Sequence, residues 1–202
     1  PAAAAAPAYS ADRQQRFSIE HVTDMRTGKA SWSVVNDHAP LPPAYRRMGR
    51  WRWAKLPYSK RERWLSAAPA VAGIKPPTVT PIAVAKGRPR TVKLLLRANG
   101  ADSVTLVAPE DADILAAGVE GFVRPIDRSV KKDKYYLQCF GRSCDGQAMT
   151  IVIGNPHAVE FTIVGLRFGL PPSAAQLIGA RPKFARPQYS PDATLTISRL
   201  RI

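Results

Sequence analysis

The sequence predicts an all-β fold: an antiparallel two-sheet β-sandwich with a long, irregular Pro/Arg-rich N-terminal wrap. Three observations carry that prediction. Short segments from Thr91 onward alternate apolar and polar side chains with a period of two, the mark of half-buried strands. Nineteen Pro and 13 Gly in 202 residues cut the chain into short elements joined by turns. No convincing amphipathic crossover helix is present, which a parallel α/β sheet would need; strands with one apolar face then bury it best in two sheets packed face to face.

The elements follow in chain order. Residues 1–16 open with an Ala/Pro tract that reads as a poorly ordered linker and has no basic region of the kind that begins a signal peptide. Residues 17–22 and 30–35 read as two strands of a hairpin turning through Thr27-Gly28. Between Pro40 and Pro89, prolines and aromatics replace periodicity, so this stretch is expected to wrap the sandwich as coil with short strands. Buried Trp51, Trp53 and Trp64 would anchor it; the alternative is a mobile wrap with the domain starting near Ile74. Hairpin and wrap therefore span residues 17–89, and the sandwich core spans 90–202.

Within that core, Val92, Leu94 and Leu96 share one face of a strand over 91–97. Asn99-Gly100 forms a turn, and 103–107 resumes the pattern. Residues 114–123 are weaker, with Gly118 and Gly121 marking a bulge or tight bend. Strands follow at 135–140, 148–153 and 159–168, the last two joined through Asn155-Pro156. One short helical turn fits 173–178, and 195–202 closes the series with a phase slip near Ser198-Arg199.

Chemistry-bearing patterns are sparse. His21, His38 and His157 lie far apart and form no H-E-x-x-H or paired-ligand spacing. There is no G-x-S-x-G motif and no phosphate-cradling glycine loop. Arg142 near Cys144 permits a reactive thiol. The better reading is a disulfide between Cys139 and Cys144, which lie at a strand end and in the Gly-bearing loop after it. Such a bond would place the domain outside the reducing cytoplasm. No run of 18 apolar residues is present to span a membrane.

The formal charge is +15, and its densest stretch is Arg46, Arg47, Arg50, Arg52, Lys55, Lys60, Arg61 and Arg63, with Glu62 the one acid among them. Trp51, Trp53 and Trp64 are interleaved. Arginine with aromatic residues suits a polyanion or nucleic acid, through phosphate contacts and base stacking. It also suits anionic headgroups at a membrane surface, or a solvated face whose stems cover anchoring rings. Nucleic acid is the less favoured partner, since no zinc finger, RNP-like strand or helix-turn-helix is recognisable. A carbohydrate-binding sandwich would need the three tryptophans as exposed stacking platforms.

A series of short motifs, in order, carries a resemblance. They are Ala30-Ser31-Trp32-Ser33, Ala68-Pro69-Ala70 with Lys75-Pro76-Pro77, Arg88-Pro89-Arg90, Gly169-Leu170-Pro171, Arg181-Pro182 with Pro187, and Asp192-Ala193-Thr194-Leu195. Together they resemble the extra β domain that follows the catalytic region in membrane-embedded zinc aminopeptidases of the M28 family, over most of residues 20–202. The resemblance implies a non-catalytic accessory domain, with no catalytic or metal-binding residue and no cofactor in this chain. Zinc would belong to an upstream peptidase domain. The implied partners are that peptidase domain and the membrane region of the same polypeptide, and the implied location is the extracytoplasmic, periplasmic side. The Arg46–Arg63 cluster departs from the pattern and leaves the partner surface to be found.

Overall fold

The computed structural model describes residues 9–85, 87–127 and 134–202. The first half of the expected 1–16 linker, residues 1–8, lies outside the described residues. In chain order the strands are β1 (Gln15–Arg16), β2 (Ser18–Asp24), β3 (Ala30–Val35), β4 (Arg52–Ala54), β5 (Arg63–Ala68), β6 (Thr78–Ala85), β7 (Arg90–Arg97) and β8 (Ser103–Ala108). They continue as β9 (Ile114–Val119), β10 (Phe122–Pro125), β11 (Tyr135–Phe140), β12 (Ala148–Ile153), β13 (Glu160–Phe168), β14 (Ala185–Arg186) and β15 (Ala193–Arg201). Between them lie two five-residue helices, α1 (Pro43–Arg47) and α2 (Ala175–Gly179), and short 3-10 turns at Glu110–Ala112, Arg142–Cys144 and Pro172–Ala174. The chain is all-β with several sheets, and it divides into two compact units.

Among the described residues, one unit comprises 9–23, 29–71 and 168–194. Its main strands run β2-β3-β5-β4, each pair antiparallel. The β2–β3 hairpin is the one the turn chemistry predicts, with Gly28 at a φ of 69°. Register sorts the side chains cleanly. Ile19 pairs with Val34, Val34 with Trp64, and Trp64 with Trp53, so these four share one face. That face carries a core of Phe17, Ile19, Trp32, Val34, Leu41, Tyr45 and Leu177, on which Trp51 and Trp64 pack. Within the expected linker, β1 pairs in parallel with β14, and Gln15 donates its N–H to the Phe184 carbonyl at 2.7 Å.

The segment expected as a wrap is therefore more regular than its composition suggests. It holds α1, β4, β5 and β6. Pro43 occupies the first turn of α1, where a missing N–H costs nothing.

The other unit comprises, among the described residues, 24–28, 72–85, 87–127, 134–167 and 195–202. Five strands run β10-β9-β12-β7-β6, and others run β11-β8-β13-β15. One apolar core draws on both sets: Val92, Leu94 and Leu96 of β7 and Ile151 and Ile153 of β12 meet Leu106 of β8 and Phe161 and Ile163 of β13. These are the inward positions that the alternation predicts. Gly118 is a close approach between strands, since a Cβ there would lie 2.0 Å from the Phe122 carbonyl oxygen in the β9–β10 hairpin. β15 is buried from Ala193 through Ile197 and alternates between half-buried and exposed residues from Ser198 onward.

Cys139 and Cys144 are disulfide-bonded with their Cα atoms 5.6 Å apart, as the sequence predicts. Closing a loop this short stabilises by about 2 kcal/mol on a chain-entropy estimate. The Cys139→Ala/Cys144→Ala double variant is thus expected to keep its far-ultraviolet circular dichroism. Its urea midpoint should fall by an amount equivalent to that figure. An unchanged midpoint would show that the bond adds nothing to the fold.

Candidate functional site

The basic segment lies in the first unit and is built around α1, β4 and β5. Arg46 and Arg47 sit in the last turn of α1, where cations complement the helix C-terminus. Arg46, Arg47, Arg50, Arg52, Lys55, Lys60 and Arg61 are all exposed. Arg63 is different. Its guanidinium donates to Glu20 Oε2 at 2.6 Å, with the side chains 14% and 11% exposed, and to Ser59 Oγ at 2.9 Å. Register explains the pairing: Glu20 lies opposite Ser33, Ser33 opposite Leu65, and Arg63 is two residues before Leu65 on the same face. Arg63 is thus a structural ion pair, and the exposed cations form the surface that remains.

Glu20 Oε2 also accepts from Ser33 Oγ at 2.8 Å and from the Tyr58 hydroxyl at 3.3 Å. Burial pushes the Tyr58 hydroxyl well above its ordinary range, and the nearby Glu20 carboxylate adds to the shift. Burial works against the Arg63 charge, but Glu20 and Tyr58 outweigh it and hold the guanidinium more firmly protonated. Tyr45 is also raised, by burial first; its hydroxyl donates to the Leu177 carbonyl.

Both tyrosines keep their protons in the folded state at a pH where the unfolded chain loses them, near 10. The stability they support is present below that pH and lost as pH rises above it. Thermal melts from pH 9 to 11.5 should therefore show a falling midpoint, and Tyr58→Phe should flatten that fall. An unchanged slope in Tyr58→Phe would remove Tyr58 as its source.

The tryptophans form a connected set. Trp53 and Trp64 meet edge to face at 5.0 Å, and the His38 ring lies 5.3 Å from Trp53. The Trp51 indole N–H donates to the Tyr45 carbonyl at 2.7 Å, and that of Trp64 to the Ala39 carbonyl at 3.2 Å. All three tryptophans are half-buried, and these bonds tie Trp51 and Trp64 to the backbone. Beside them lies an open pocket of about 270 Å³ lined by Pro40, Leu41, Arg46, Gly49, Trp51 and Trp64. Sequence reasoning found the tryptophans and Arg46 but missed the pocket. Gly49 allows the chain to close on β5, since a Cβ there would lie 2.6 Å from Ser66 Oγ.

The motif residues have structural partners. Asp192 is ion-paired with Arg181 and accepts the Ile19 N–H at 2.9 Å, while its own carbonyl accepts the Gly169 N–H at 2.9 Å. Thr194 Oγ1 donates to the Gly169 carbonyl at 2.9 Å. The His21 ring lies edge to face on Trp32 at 5.0 Å, and its Nε2 donates to the Pro69 carbonyl at 2.9 Å. In the second unit, Arg167 donates to the Lys75 and Asn99 carbonyls at 2.6 and 2.7 Å, and the Asn99 amide donates to the Pro76 carbonyl at 2.8 Å.

Among the described residues, no group of three or more His, Cys, Asp or Glu is placed to hold a metal ion. Also among them, no helix is long and apolar enough to cross a membrane. Comparison with protein-family models, curated proteins and solved structures returned no match.

Proposed function

We propose that this chain is a non-catalytic accessory β domain, its second unit an antiparallel two-sheet sandwich. In this reading it packs on or positions the peptidase domain of a membrane-bound, M28-like zinc aminopeptidase. One observation supports it above the rest: the motif residues that carry the resemblance are spent on internal fastening. Arg181 and Thr194 bond Asp192 and Gly169, which bond each other, Trp32 packs against His21, which bonds the Pro69 carbonyl, and the Lys75 and Pro76 carbonyls accept from Arg167 and Asn99. Residues engaged in this way specify a scaffold. The exposed cations and the tryptophan pocket then supply the surface that meets a partner.

Zinc, in this reading, is held by the upstream peptidase domain, where zinc-activated water would cleave an N-terminal peptide bond. The Cys139–Cys144 disulfide suits an extracytoplasmic location. The purified chain incubated with zinc and an aminoacyl p-nitroanilide is expected to release no nitroaniline above the buffer rate. Metal-dependent turnover by this chain alone would overturn the accessory role.

A further inference from the structure

The tryptophan pocket has a chemistry that selects among ligands. Both indole N–H groups on its wall are already spent on backbone carbonyls, those of Tyr45 and Ala39. The remaining lining is the carbon surface of Pro40, Leu41 and the two rings, with Arg46 as its one charged side chain. A sugar or a nucleobase placed there would surrender several hydrogen bonds to water and regain few, a cost of roughly 1–3 kcal/mol for each unsatisfied group. An apolar group loses nothing. A dry cavity of about 150 Å³ takes benzene, so a pocket of about 270 Å³ has room for one phenyl or branched aliphatic side chain and its linking atoms.

The shape also argues against a bilayer. Interfacial anchors bury their apolar face in the acyl boundary, whereas Trp51, Trp53 and Trp64 are half-buried in the protein, Trp51 and Trp64 held by hydrogen bonds and Trp53 packed edge to face on Trp64. Arg46 lines the pocket, Arg47 and Arg50 follow it and Gly49 in the chain, all three are exposed, and among the described residues none of them is ion-paired. The rim is therefore complementary to negative charge.

We propose that this pocket seats a single apolar side chain, aromatic or branched aliphatic, of a partner polypeptide whose flanking residues are acidic. The anchor fills the carbon-lined cavity, and its acidic neighbours meet the arginine rim. This arrangement, a buried hydrophobic centre inside a charged rim, is the usual anatomy of a binding hot spot. The pocket goes beyond the accessory reading and stands whether or not a peptidase domain precedes it.

The test is fluorescence anisotropy of two labelled peptides, Asp-Asp-Phe-Asp-Asp and Asp-Asp-Ala-Asp-Asp, titrated with the full chain at physiological salt. The phenylalanine peptide should bind at least about tenfold more tightly than its alanine counterpart, as expected for burying one phenyl ring. Arg46→Glu should weaken it by at least about tenfold. Arg201→Glu, the same charge change on the exposed Arg201, should leave it within about twofold. Equal affinities for the two peptides, no binding of either, or an equal loss in Arg201→Glu would overturn the proposal. So would tighter binding of a twelve-residue oligothymidylate or of phosphatidylserine vesicles, which would assign the surface to nucleic acid or to a membrane. The two-peptide comparison needs no variant to fold, and none of these outcomes bears on what lies upstream of the chain.

Discussion

Glu20→Ala is expected to destabilise the protein by about 3–5 kcal/mol, because it leaves the Arg63 guanidinium buried without its counter-charge. The pair is 2.6 Å apart and both side chains are nearly enclosed, so water cannot take over the lost contact without the surrounding strands opening. The variant also removes the acceptor for Ser33 Oγ and the Tyr58 hydroxyl. Urea denaturation measures the loss. The double variant Glu20→Met/Arg63→Met supplies the contrast: replacing both charges by apolar groups of similar length should recover most of the stability. A Glu20→Ala cost under about 1 kcal/mol would place the pair with exposed surface bridges.

Phe161→Ala should cost about 3–5 kcal/mol, the range for deleting a buried phenyl ring. Phe161 is fully buried on β13 in the core it shares with Leu94, Leu106 and Ile151. Close-packed strands on either side leave little freedom to collapse into the void. Differential scanning calorimetry would record the change as a lower midpoint. If the midpoint were unchanged, the two sets of strands would not be held by a common core.

The strands of the second unit were legible because their periodicity is local. Val92, Leu94 and Leu96 are buried in β7, and Met149, Ile151 and Ile153 in β12, each at the spacing of two that the sequence displays. β6 was not legible. Pro81 interrupts its pattern, and the strand tolerates proline because it forms the sheet's edge and shifts register between Pro81 and Ala83. β4 and α1 are three and five residues long, too short for any period to emerge from a stretch rich in proline and arginine. The division into units was hidden for another reason. Residues 168–194 belong with the N-terminal residues, a grouping fixed by pairings distant in sequence, such as Ile19 with Asp192.

The candidate surface was half legible. Its arginines and tryptophans stand out in composition, but nothing in the run of cations marks Arg63 as the inward one. Its partner Glu20 is 43 residues away, and only the β2-β3-β5 register brings the two together. The pocket depends on backbone carbonyls at Ala39 and Tyr45 that orient the indoles, and sequence periodicity does not encode such bonds.

Immunoprecipitation tests the functional reading most directly. Antibodies raised against the 202-residue chain would be applied to detergent-solubilised membranes of the source cells, and the precipitate assayed for aminopeptidase activity. The accessory reading predicts chelator-sensitive activity that precipitates with an antigen much larger than the chain's own 22.0 kDa. An antigen of the chain's own size in the soluble fraction, with all aminopeptidase activity left in the supernatant, would contradict it.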